Sequence, residues 1–165
     1  MQVITGGQTG VDQAGWRAAK RAGLPTGGFM PRNFKTEAGL KAELAEEFGA
    51  RALESPSYAH RTIRNVLLAD AVLVMGDPDS SGSRLTINTA MEHNREIRVV
   101  EVLITRTPDT VFLWSHPFEV VADWIREVNP RVLMVAGNRE STTPGIGKAA
   151  EMFLLEVFQQ LRPPV

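Results

Sequence analysis

Gly6-Gly7-Gln8-Thr9-Gly10 follows a short β-branched run, residues 2–5, and precedes a stretch with helical signals. Glycines let a backbone turn sharply and approach a ligand closely. The free amides and positive dipole end of a helix N-terminus favour an anion. Such a loop suits phosphate or carboxylate binding, and its plain alternative is a tight turn. It matches neither the GxGxxG fingerprint nor a Walker loop, which needs Gly-Lys-Ser/Thr. Asp12 has two readings. It closes a short capping box with Thr9, or it contacts a ribose or a metal. Repulsion between a carboxylate and a phosphate favours the cap.

Three further groups share the same chemistry. Tyr58, Arg61, Thr62 and Asn65 recur at helical spacing, so they form either a solvated face or a polar row with Arg61 as an anion clamp. Ser80-Ser81-Gly82-Ser83-Arg84-Leu85-Thr86 puts hydroxyls before a helix, and Gly82, Ser83 and Thr86 make a candidate second cradle. Gly137-Asn138-Arg139-Glu140-Ser141 follows the last strand in the same manner. There Arg139 pairs with a ligand or with an acid such as Glu140. His60, His93 and His116 are isolated, which argues against a metal site. No cysteine occurs, which excludes disulfides, thiolate metal sites and cysteine nucleophiles. No GxSxG elbow is present.

The elements that must position these groups alternate. Strands are expected at residues 2–5, 71–75, 97–104 and 131–136, with one short strand within 27–39. Helices are expected from Thr9 to about residue 22, over 40–48, from a Ser57 cap over 58–69, and from the 77–83 loop to about residue 94. Two more follow, over 119–128 and after a Thr143 cap with Pro144 at the first position. Residues 71–75 are continuously apolar, as in a parallel strand buried on both faces. Residues 105–117 give no clear pattern, and 162–165 form a tail. This alternation predicts an α/β, Rossmann-like three-layer αβα domain with a mostly parallel, doubly wound sheet, spanning residues 1–165 as one unit. Ligands in such sheets bind beyond the strand carboxyl ends, where strand order switches. The loops at 6–10, 77–83 and 137–143 therefore belong together.

Bulk properties narrow the function. The formal net charge is −1, from 18 basic and 19 acidic residues, which argues against a nucleic-acid partner. No apolar run reaches the roughly 18 residues of a membrane span. A strand starting at residue 2 leaves no leader peptide, so a cytoplasmic protein is expected. The apolar region around Phe112 and Trp114 is a candidate homo-oligomer interface.

Several blocks, in order, resemble the molybdenum-carrier family. They are Ile4-Thr5-Gly6-Gly7-Gln8-Thr9-Gly10-Val11-Asp12, then Gly27-Gly28-Phe29-Met30-Pro31-Arg32, then Tyr58, Arg61, Thr62, Asn65 and Val66. Val135-Ala136-Gly137-Asn138-Arg139-Glu140-Ser141, with Pro144-Gly145-Ile146, resembles the closing motif. That family sits in the Rossmann-like SLOG superfamily with YpsA-like proteins, DNA-processing proteins of transformation and the "lonely guy" nucleotide hydrolases. The resemblance implies a Rossmann-like fold and a strand-end site for a nucleotide, a nucleotide derivative or molybdenum cofactor. It also implies an alternative, hydrolysis of the base–ribose bond of a nucleoside monophosphate. The hydrolases carry Pro-Gly-Gly-x-Gly-Thr-x-x-Glu. Here the nearest stretch is Ser81-Gly82-Ser83-Arg84-Leu85-Thr86-Ile87-Asn88-Thr89, with Thr89 in place of the acid. Glu140 and Asp12 remain as candidate acids.

Overall fold

The computed structural model describes residues 1–106 and 110–161. The expected tail at 162–165 lies outside them, as does part of the 105–117 stretch. The main sheet holds β1 (Gln2–Ile4), β2 (Thr26–Met30), β5 (Ala50–Ala52), β6 (Ala71–Gly76), β7 (Glu96–Arg106), β8 (Thr110–Trp114) and β9 (Val132–Gly137). Its order is β5-β2-β1-β9-β6-β7-β8, and all pairs are parallel except β7 with β8. A separate small hairpin pairs β3 (Lys35–Thr36) with β4 (Gly39–Leu40).

Helices cover both faces of the sheet. On one lie α1 (Val11–Arg21), α5 (Phe118–Val128) and α6 (Ile146–Gln160), where Leu73, Met75, Leu133 and Val135 meet Leu154, Val157 and Phe158. On the other lie α3 (Tyr58–Leu68) and α4 (Ser81–Glu92), where Val72, Val74, Met134 and Ala136 meet Val66 and Ala90. Both parities of β6 and β9 are apolar because both faces are covered. Fully burying each large aliphatic side chain contributes about 1.5–3 kcal/mol. The small stripe on α1 lets it lie against the sheet, and a Cβ on Gly15 would sit 3.0 Å from Val135. The short α2 (Glu43–Phe48) closes a third cluster, in which Trp16 stacks on Phe48 at 5.1 Å. Among the described residues no helix is long and apolar enough to cross a membrane.

The Rossmann-like α/β fold expected from the alternation is present. Three local expectations need correction. Thr9 and Asp12 do not cap α1; Gly10 is its N-cap and no side chain caps it. Thr143 and Pro144 do not start α6, which begins at Ile146 after Gly145. Thr143 instead accepts a hydrogen bond from Asn138 at 3.2 Å. The strand at residues 50–52 was not anticipated, since Ala-Arg-Ala carries neither alternation nor β-branching. The Ser57 cap is present, accepting from the His60 amide at 3.3 Å.

The strand order places the site. From β1 the chain winds outward to β2, and from β6 it winds the other way to β7, with β9 between β1 and β6. The loops after β1, β9 and β6 therefore emerge side by side at the carboxyl edge.

Candidate functional site

A cleft of about 380 Å³ opens at this switch point. Its floor is the end of β9, with Met134 and Ala136; one wall is the start of α4, with Ser80, Ser81 and Gly82. Arg61 and Thr62 of α3, Gln8 from the loop after β1 and Asp12 of the first turn of α1 face the loop after β9, with Arg139 and Ser141. Eight of the expected residues thus line one cleft: Gln8, Asp12, Arg61, Thr62, Gly82, Thr86, Arg139 and Ser141.

The glycine loop serves packing more than ligand contact. The Gly7 amide donates to Thr5 Oγ1 at 3.0 Å, that of Gln8 to Asp12 Oδ2 at 3.2 Å, and that of Thr9 to Gln8 Oε1 at 3.1 Å. The Val11 amide donates to the Asn138 carbonyl at 3.1 Å. These donors are used inside the protein. Gly6 makes room for Arg61, because a Cβ there would fall 1.5 Å from its Nη1. A Cβ on Gly7 would meet Met30 at 2.6 Å. Gly10 lies against the backbone of the loop after β9.

Arg61 and Asp12 form a buried pair, Nη1 to Oδ2 at 2.8 Å, with side chains only 9% and 4% exposed. Burial pushes the Asp12 carboxyl up, while the Arg61 charge and the Gln8 amide pull it back towards ionisation. The clamp expected of Arg61 therefore carries its own counter-charge. Its Nε is buried and makes no hydrogen bond among the described residues. Gln8 is in a similar position. Its Oε1 accepts from the Thr9 and Glu37 amides at 3.1 and 2.9 Å, which fixes which end of the side-chain amide is which. Its Nε2 is then left buried and unpartnered among the described residues.

Ser80 caps α4. Its hydroxyl accepts from the Ser83 amide at 3.3 Å and donates to the Ser83 hydroxyl at 2.9 Å. The Ser81 and Gly82 amides, in the first turn, make no hydrogen bond among the described residues. The Ser81 and Gly82 amides at α4 are therefore free, whereas the Gly7, Gln8 and Thr9 amides of the loop after β1 are taken.

Four expected residues have structural duties instead. Asn65 is fully buried and braces β2, accepting from the Phe29 amide at 2.8 Å and donating to the Phe29 and Thr5 carbonyls. Glu140 caps α6, accepting from the Gly145 and Gly147 amides at 2.5 and 3.0 Å, so it stands outside the cleft. Ser83 is spent on the α4 cap, and Thr9 binds Glu37. Asn138, not anticipated, ties two loops together. Its Oδ1 accepts from the Asp77 amide at 2.9 Å while its Nδ2 reaches Thr143. Tyr58 carries the Arg61 and Arg139 guanidiniums over its ring at 5.8 and 5.6 Å.

Glu37, in the β3–β4 hairpin, was also missed. Its carboxylate accepts from the Ser141 amide at 3.1 Å and from the Thr9 and Ser141 hydroxyls, with Arg139 Nη1 at 3.7 Å. Burial alone would raise this carboxyl, but the Ser141 and Thr9 hydrogen bonds and the Arg139 charge hold it below the ordinary carboxylate range. A lowered folded-state value means the contact adds stability above the unfolded carboxylate range and loses it as pH falls through the lowered value. Protection of the residue 36–40 amides against hydrogen exchange should be high at neutral pH and fall only below about pH 4. Exchange independent of pH, after correction for the intrinsic rate, would dismiss Glu37 as the hairpin's anchor.

Among the described residues no three of His, Cys, Asp and Glu gather as a metal set. The comparisons with known proteins agree with the fold. No curated protein matches the chain. A solved structure from Syntrophus aciditrophicus SB, called a "putative molybdenum carrier protein", is 28% identical, with a TM-score of 0.78 over 95% of this chain and 93% of that one. The model of the circularly permutated YpsA SLOG family matches residues 3–158. That match spans nearly all of the sheet and every wall of the cleft, and the chain belongs to the circularly permutated YpsA SLOG family.

Proposed function

We propose that the cleft binds a small molecule through a phosphate group seated at the N-terminus of α4. One observation carries this reading. Four N–H groups around one cleft have no partner among the described residues: the Ser81 and Gly82 amides, Gln8 Nε2 and Arg61 Nε. Gln8 Nε2 and Arg61 Nε are buried, and leaving such donors unmade costs about 1–3 kcal/mol each, whereas Ser81 and Gly82 are exposed residues whose amides are open to an incoming oxyanion. The α4 dipole adds to the attraction. The cleft also falls in the size range of small-molecule sites.

Nucleotides, nucleotide derivatives and the phosphorylated pterin of molybdenum cofactor all share this phosphate chemistry. The molybdenum-carrier name of the Syntrophus protein supports the last of these. The chain has no cysteine to offer a metal, so such a cofactor would be held through its phosphate and pterin. Its molybdenum would keep its own dithiolene ligands. Native mass spectrometry of the purified protein would read a retained pterin or nucleotide directly.

Ser81→Pro tests the phosphate seat. Ser81 is the first helical residue, where proline fits, and Ser80 is already extended (φ −60°, ψ 147°), as the residue before proline prefers. The substitution removes one amide donor and leaves the helix start intact. Affinity for AMP should fall about tenfold or more, since a hydrogen bond to a charged group contributes about 1.5–3 kcal/mol. Unchanged affinity in isothermal titration would move the phosphate elsewhere.

A second reading rests on Asp12. It is a buried carboxylate lining the cleft with its protonation favoured by burial, which is what acid catalysis of base–ribose cleavage needs. Glu140, the other candidate acid, is spent on α6. Free base released from AMP, and abolished by Asp12→Asn, would make the protein a hydrolase. Binding without base release leaves it a carrier or sensor.

A further inference from the structure

The Glu37 carboxylate is gripped by an unusual set of donors for a surface hairpin. They come from two separate loops: the Thr9 hydroxyl after β1, and the Ser141 amide, Ser141 hydroxyl and Arg139 guanidinium after β9. An amide, two hydroxyls and a guanidinium converging on two oxygens form the kit that proteins use for phosphate or carboxylate ligands. Apart from this carboxylate, the hairpin is held by the Glu37 amide on Gln8, the Lys35 ammonium over the Tyr58 ring at 5.3 Å and the buried Thr36. Each of its strands is two residues long, Gly39 and Leu40 are exposed, and the Thr36 hydroxyl bonds within the hairpin. A hollow of about 380 Å³, lined by Thr9, Glu37, Ala38, Glu140 and Ser141, opens beside the carboxylate.

We propose that Thr9, Arg139 and Ser141 form a second oxyanion subsite, beside the cleft, which Glu37 occupies as a built-in ligand that an external phosphate or carboxylate displaces. The subsite communicates with the cleft. Arg139 and Ser141 line both, and the Glu37 amide holds Gln8 Oε1 at 2.9 Å. Displacement of Glu37 releases that bond and lets the Gln8 side chain turn. The Thr9 hydroxyl stays oriented in either state, because it also accepts from the Glu140 amide at 3.2 Å. The ligand class this favours carries two anionic groups, one for α4 and one for the subsite. The subsite itself does not depend on the cleft holding phosphate.

The test is isothermal titration with inorganic phosphate. At phosphate concentrations too low to displace Glu37, Glu37→Ala should bind one equivalent more than the parent protein. Adding Thr9→Val, a residue outside the cleft lining, should remove that extra equivalent. Ser81→Pro should spare it. Should Glu37→Ala fail to fold, Glu37→Gln carries the test. It keeps the shape, removes the charge, and should bind phosphate at the subsite about tenfold more tightly than the parent, because neutral hydrogen bonds hold about half as strongly as charge-assisted ones. If the parent binds no phosphate but Glu37→Ala binds one equivalent that Ser81→Pro spares, the subsite stands and the α4 seat falls. Equal stoichiometry and affinity in the parent, Glu37→Ala and Glu37→Gln would overturn the proposal.

Discussion

Asp12→Ala should cost about 3–5 kcal/mol of folding stability, the loss expected when one member of a buried ion pair is removed. The damage arises at Arg61. Its guanidinium is packed against the Gly6 backbone, with its side chain only 9% exposed. Without Asp12 it becomes a buried charge with no counter-ion. Gln8 suffers too, because its amide donates to the same carboxylate. Asp12→Asn keeps an acceptor of the same shape and should cost less. Replacing both partners, as in Asp12→Leu with Arg61→Met, should recover much of the loss, since hydrophobic pairs of similar volume often match buried ion pairs. Urea unfolding would read these effects as shifts in midpoint at constant slope. If Asp12→Ala stayed within about 0.5 kcal/mol of the parent, the range of an ordinary surface substitution, the pair would not be the keystone of the cleft.

Gly10→Ala should destabilise by about 3 kcal/mol or more. Gly10 adopts φ 79° and ψ −127°, a conformation open almost only to glycine. Strain of that kind costs about 1–3 kcal/mol. A Cβ would also fall 2.3 Å from the Asn138 carbonyl oxygen and 2.8 Å from the Glu140 amide nitrogen. Both are backbone atoms and neither can rotate away. The loop after β9 must then move, taking Arg139 and Ser141 with it, so AMP affinity should fall together with stability. Gly82→Ala is the control. A Cβ there meets nothing within 4 Å, and alanine is a better helix former than glycine. Its stability should equal or exceed that of the parent by a few tenths of a kcal/mol. Equal stabilities for Gly10→Ala and Gly82→Ala would refute the close approach of the two loops.

These two sites show where sequence reading reaches its limit. The run 71–75 announces a strand buried on both faces, and Ser57 announces a helix start, because both signals lie within a few residues of their effect. Alternation then fixes the layers, and the layers bring loops 6–10, 77–83 and 137–143 to one edge. Even so, Asn65 and Glu140 stand in motif-bearing stretches and face away from the cleft. Glu37 carries no local signal at all, since Ser141 lies 104 residues away.

By itself, then, the sequence determined the α/β alternation, the edge where the cleft opens and most of the polar residues gathered there. Periodicity, caps and turn chemistry act over a few residues, so their consequences are written locally. Only the tertiary structure decided which donors are free. The Gly7, Gln8 and Thr9 amides turn onto Thr5, Asp12 and Gln8, while the Ser81 and Gly82 amides of α4 stay open. It also decided that Arg61 meets Asp12 across 49 residues, and that Glu37 fills the grip of Thr9, Ser141 and Arg139. Each donor bonds the acceptor that packing brings within about 3 Å, and that distance is set by the layers rather than by neighbours in the chain.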